Sequence, residues 1–217
     1  MESTFDPHVV LAAFQRSRDR IISLARDLDA ESAATVVPTC PDWTVIELLR
    51  HVYGVEDDLA HGRLEGAGSD AWTAAQLTRH ADKDAAAICA AWPEVAAIVD
   101  AQLLGIPEPM NLHIVMDRVT HEHDLRLALG RPGARDDVAV AIGSARVLGM
   151  HRDSDPALVA QIEALDLEGF ERFRSLTGRR SVAQMEAMGF PGAAFAARMA
   201  GSPMAVTTVD IIESPTA

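Results

Sequence analysis

The chain has 217 residues and a formal net charge of -13 at pH 7. It is long enough to bury a core, and without a basic run it is too acidic to neutralise nucleic-acid phosphates or an anionic membrane surface. Only Cys40 and Cys89 are present, which excludes a disulfide framework or a thiolate zinc knuckle and fits a reduced cytoplasm. The opening MESTFDPH carries acids where a secretory leader would carry basic residues, and no apolar stretch approaches membrane-spanning length, so a soluble cytoplasmic protein is expected.

Alanine-rich, β-poor composition with 5% aromatic residues predicts a mainly helical fold. Asp6 before Pro7 marks a helix start, an N-cap acceptor followed by proline at the first helical position. Val10, Phe14, Ser17, Ile21, Leu24 and Leu28 then recur at helical spacing, with Arg16, Arg18, Asp19 and Arg26 mostly outside that seam. Pro38 and Pro41 hold the chain out of helix until Thr44, which with Glu47 makes a capping box. His51 follows two turns inside the second helix, among Leu48, Val52 and Val55, and Asp57 with His61 forms a four-apart pair at its acidic end.

Residues 62–70 read as a loop, and Pro93 should kink or split the alanine-rich helix that begins near Trp72. GIPEP breaks the chain before a fresh helix. Beyond Gly130, RPGARDD is the best domain boundary, dividing the chain into 1–130 and 131–217. Short β-like runs are expected at Val138–Ile142 and Ala157–Leu165, with a last strand in AVTTVDIIESPTA. Between them FERFRSLTG is helical with a glycine C-cap, and Ser181 with Gln184 makes a second capping box.

The stretch from Asn111 to Gly130 carries the chemistry. His113, Asp117, His121 and Asp124 fall at steps of four, four and three and stack along one helix face. Imidazoles and carboxylates turned toward a core find a partner in a divalent cation. Such rows also occur as hydrogen-bonded or solvated pairs, so a third ligand from elsewhere is required, and His51 is the candidate; His123 points to another face. Neither cysteine has the setting of a nucleophile.

CPDWTVIELLRH resembles the signature around the first metal ligand of the mycothiol-dependent maleylpyruvate isomerases, within the DinB-like superfamily of metal-binding four-helix bundles. THEHDLRLALGRPG resembles the second signature of that family, and FERFRSLTGRRSVAQ a third, in a small C-terminal domain. The resemblance implies a DinB-like four-helix bundle over 1–130 and a small C-terminal α+β domain over 131–217. It implies a metal triad of His51, Asp117 and His121, typically zinc, with mycothiol bound so that its sulfur lies at or near the metal. Aspartate stands at position 117 where the family usually has glutamate.

Three ligands leave a tetrahedral position open, the arrangement of a catalytic site. The expected enzyme uses the thiol to isomerise an unsaturated acid such as maleylpyruvate, or transfers it to an electrophile. Arg179 is the candidate catalytic clamp for a carboxylate and Arg180 the candidate for the thiol cofactor. Partners are then a small thiol and a small organic acid or electrophile, with no nucleic acid and no membrane, and the protein a monomer or homodimer. A metal-binding regulatory protein without turnover and a metal-assisted hydrolase stay open as other readings.

Overall fold

The computed structural model describes residues 5–214. Its helices are α1 (Pro7–Ala25), α2 (Ala30–Ala33), α3 (Val45–Ala60), α4 (Asp70–Arg79), α5 (Ala85–Leu103), α6 (Met110–Ala128), α7 (Val138–His151), α8 (Pro156–Glu163), α9 (Gly169–Leu176), α10 (Val182–Ala187) and α11 (Gly192–Met199). A small antiparallel hairpin, β1 (Val36–Val37) with β2 (Cys40–Thr44), precedes α3 and pairs Val36 with Thr44 and Val37 with Cys40.

Helices α1, α6, α3 and α5 pack around one another in that order as a four-helix bundle. The caps read from the sequence are in place. Asp6 accepts from His8 N, and Glu47 accepts from both the amide and the hydroxyl of Thr44. Ser181 and Gln184 exchange bonds at the start of α10.

The bundle interior is not purely apolar. Glu56, on α3 and fully buried, meets Arg18 of α1, Arg118 of α6 and the indole Nε1 of Trp92 of α5, each at 2.6 Å. One carboxylate therefore ties all four helices. Burial alone would raise its pKa, but the guanidiniums of Arg118 and Arg18 outweigh that and keep it below the usual range. The expectation that Arg18 lies outside the packed seam is corrected here, because its head is neutralised inside the bundle while Asp100 takes its outer edge. A pair fixed at 2.6 Å between Glu56 and Arg118 also sets the axial register of α3 against α6. His51 lies five residues before that pin and Asp117 one residue before it.

Three further expectations change. Pro93 sits inside a continuous α5 rather than splitting it, and Trp92, Val95 and Val99 beside it are buried in the core. The same helix is long and apolar enough to cross a membrane, which overturns the expectation that no stretch reaches that length. Its apolarity is largely alanine, and its inner face packs on α1 and α3.

The expected C-terminal α+β unit is helical among the described residues. Val138–Ile142 opens α7, Ala157–Leu165 falls on α8 and its end, and residues 205–214 form no strand; residues 215–217 of the expected tail strand lie outside the described residues. Helix α7 is buried on several sides, against α6, α1 and α9, so its apolar residues have no alternating outer face to reveal a helix period. The hydrophobic core continues across the 129–137 connection without interruption.

Candidate metal centre

Helix α3 delivers His51 and helix α6 delivers Asp117 and His121, and one donor atom from each lies within 4.8 Å of the other two. The rings of His51 and His121 stand nearly perpendicular with centroids 5.2 Å apart. Asp117 Oδ1 is 3.7 Å from His121 Nε2. Ligand atoms around a tetrahedral ion with bonds of about 2.1 Å lie roughly 3.4 Å apart. The shorter aspartate carboxylate thus reaches to within a few tenths of an ångström of ligand spacing.

Each imidazole is held from behind. His51 Nδ1 bonds Gln76 Oε1 at 2.9 Å, and Gln76 Nε2 donates to Asp58 Oδ2 at 3.0 Å. Asp58 is clamped by Arg63 and Arg79, both at 2.6 Å. A carboxylate only accepts, so the amide NH2 of Gln76 must face Asp58 and its oxygen must face His51. His51 therefore carries its proton on Nδ1 and presents a bare Nε2 to the cluster. Burial, first of all, and His121 push the His51 pKa down to about 4 against the opposing pull of Asp117, so the ring is neutral and free to ligate.

His121 is treated alike. Its Nδ1 lies 3.2 Å from Asp124 Oδ2, and fully buried Asp124 is gripped by Arg174 at 2.9 Å and Arg179 at 2.8 Å. Burial would raise the Asp124 carboxyl, but Arg179 and Arg174 overcome it and hold it well below the usual carboxylate range. The ionised acid accepts from Nδ1–H, which leaves Nε2 for a metal. Trp43 from the hairpin packs its ring 5.1 Å from His51 and 6.5 Å from His121.

Cys40, His121 and Asp124 also bring donor atoms within 4.8 Å, but a cation there would face the two guanidiniums already on Asp124. Arg179 Nη2 lies 3.8 Å from Cys40 Sγ. Burial first, then Asp124, push the thiol up to about 11, so Cys40 stays protonated.

Of the remaining candidates, Arg179 has its Nε and Nη2 edge on Asp124 and Nη1 on Thr177 O, standing behind His121. Arg180 pairs with Glu171 and Glu213. Asp57 and His61 form their pair at 3.2 Å, with Arg63 on the same carboxylate. His113 stays outside the triad, and His123 is buried against Phe170 with ring centroids 4.7 Å apart.

Gln76 was not legible as a site residue. The one sequence trace of its role is Gly54, where an added Cβ would come 2.8 Å from Gln76 Cβ. Glycine there lets α4 approach α3 closely enough for the amide to reach His51.

The fold and site together define a four-helix bundle with a candidate metal centre of two histidines and one aspartate spanning two of its helices. The chain belongs to the mycothiol maleylpyruvate isomerase N-terminal domain family, whose model matches residues 14–131. No curated protein and no solved structure matches the chain.

The donor set fits a divalent cation of zinc type: two imidazoles with their second nitrogens engaged by acceptors, and one carboxylate with an exposed edge.

Proposed function

We propose that the chain is a metal-dependent enzyme that takes a small thiol, mycothiol by family, and uses it on a small organic acid or electrophile. The reaction is isomerisation of an unsaturated acid such as maleylpyruvate, or transfer of the thiol to an electrophilic carbon. The observation that supports this reading is the double relay, Asp58–Gln76–His51 and Asp124–His121, which prepares two bare imidazole nitrogens facing one carboxylate. A divalent cation bound there supplies the charge that favours thiolate over thiol at neutral pH.

The chain's own groups do the rest. His51, Asp117 and His121 hold the cation and, being three, leave room for an incoming ligand. Gln76 and Asp124 keep both rings in the ligating tautomer. Trp43, half-buried across the two rings, shields that face from water and strengthens the electrostatics inside. Arg174 and Arg179 keep Asp124 ionised, so it stays an acceptor that orients the His121 ring.

Elemental analysis of the wild type and of His121→Ala tests the centre, and titrating mycothiol into the cobalt-substituted protein tests sulfur ligation. Near-stoichiometric metal in the wild type, its loss in the variant and a new sulfur-to-cobalt charge-transfer band are expected. A wild type that binds no metal overturns the proposal, and metal without any response to the thiol points instead to hydrolysis or to binding without turnover.

A further inference from the structure

Residues 205–214 form neither helix nor strand, yet they are tied at intervals to the elements that stand behind His121. Thr207 N donates to Gly178 O at 3.0 Å, and Ser181 Oγ donates to Asp210. Gln184 meets both backbone groups of Ile211, donating to its carbonyl at 2.8 Å and accepting its N–H at 3.1 Å. Ile211 is buried while Val209 and Ile212 are exposed. At Gly178, where φ is +78°, an added Cβ would come within 2.6 Å of the carbonyl oxygens of Met204 and Ala205. Glycine there lets the segment lie directly on the turn after α9.

The segment brings one carboxylate inside. The Glu213 side chain is only 9% exposed, and its Oε1 accepts from Arg174 Nε at 2.7 Å and from Arg180 Nη1 at 3.1 Å. Ser214 O accepts from Arg135 Nη2 just beyond it. Arg180 does not depend on Glu213, because Glu171 takes its Nε and Nη2 at 2.7 and 2.8 Å. Arg174 does. It is fully buried, with Nε on Glu213, Nη1 on Asp124 at 2.9 Å, and Nη2 without a partner among the described residues.

A guanidinium is a rigid plane, so fixing its Nε fixes where Nη1 points. Arg174 Nη1 holds Asp124 Oδ1, and the other oxygen, Oδ2, faces His121 Nδ1 at 3.2 Å. Arg179 grips the same carboxylate along one edge, from the turn after α9. With Arg174 anchored on Glu213, the Asp124 carboxylate is held from two directions. Without that anchor it keeps one grip and regains freedom about its terminal torsion, which is intrinsically broad.

We propose that Glu213 is a positioning residue for the metal centre: it aims Arg174, Arg174 fixes Asp124, and Asp124 holds the His121 ring in its ligating attitude. The inference rests on the centre proposed above and extends its support to a residue that touches no ligand. Helices α3 and α6 carry the ligands, and the support behind His121 is completed from position 213.

Zinc competition against a chromophoric chelator, on the full-length wild type, Glu213→Gln and Glu171→Gln, tests this, with nitrogen NMR of the His121 ring in the metal-free proteins. Glu213→Gln removes the charge and conserves volume. It should raise the zinc Kd about three- to tenfold, less than the loss typical of a group bonded directly to a ligand. Glu171→Gln takes a carboxylate from the same cluster but none from Arg174, and should leave zinc affinity within about twofold of wild type. In Glu213→Gln the Nδ1–H tautomer of His121 should fall, a signature that lost stability alone does not produce. If that variant does not fold, Gln184→Ala, which frees Ile211 and leaves every charge in place, carries the same comparison.

Equal zinc affinity in wild type and Glu213→Gln, an unchanged His121 tautomer, or an equal loss in Glu171→Gln overturns the inference. The two proposals fail in different ways. A wild type that binds no zinc overturns the centre and this inference with it, whereas a wild type that binds zinc with an affinity indifferent to Glu213 overturns this inference alone.

Discussion

Replacing Gln76 by leucine removes the group that orients His51 while nearly conserving volume at a fully buried position. Two hydrogen bonds go, at 2.9 and 3.0 Å. His51 Nδ1–H is then stranded in an apolar setting, whereas Asp58 keeps Arg63 and Arg79. The lost bonds and the stranded donor together cost about 2–4 kcal/mol of stability. The larger functional consequence is at the metal, because nothing then favours the Nδ1–H tautomer, and loss of such a supporting partner typically lowers affinity about 10- to 100-fold. Zinc competition against a chromophoric chelator measures that loss, and nitrogen NMR of the imidazoles reads the tautomer directly. A Gln76→Leu protein that keeps wild-type zinc affinity and a His51 protonated on Nδ1 would refute the relay.

Gly54→Ala should reproduce part of that phenotype without touching a polar group, since its Cβ would sit 2.8 Å from Gln76 Cβ and push α4 outward; unchanged zinc affinity would show that the close approach is not needed. Asp124→Asn leaves Arg174 and Arg179 facing a neutral amide in a fully buried position, at a cost of about 3–5 kcal/mol. It should lower both the denaturation midpoint and metal loading. The metal-free protein should also weaken in mild acid. His51 and His123 have folded pKa values pushed below the ordinary 6.5, chiefly by burial, to about 4 for His51. Their contribution is complete above pH 6.5 and is lost as pH falls from there toward the folded values. Each contributes at most about 1.4 kcal/mol per pH unit in that window. Urea midpoints at pH 7.5 and 5.5 check this, and equal midpoints would contradict it.

Helix starts were readable because caps are local. Asp6–Pro7, Thr44 with Glu47, and Ser181 with Gln184 each fix a boundary through bonds between near neighbours. The stacking of Asp117 and His121 was readable for the same reason, being a property of one helix. Val138–Ile142 was misread as a strand because a short, continuous apolar run shows no period once several faces are buried. Pro93 was misread because tertiary packing of α5, through Trp92 and Val99, overrides the local cost of proline in a helix.

The amino-acid order alone settled the helical character, the starts of α1, α3 and α10 and the row of potential ligands on α6, since these follow from backbone propensity and contacts three or four residues apart. It could not settle what stands behind His51 or what holds Asp124 in place behind His121. Gln76 is 25 residues from His51, and Arg179 is 55 from Asp124. Their meeting depends on how α4 docks against Gly54 and how the residues after α9 fold back on α6. Tertiary packing made those choices, because only close packing of distant helices brings such groups within bonding distance.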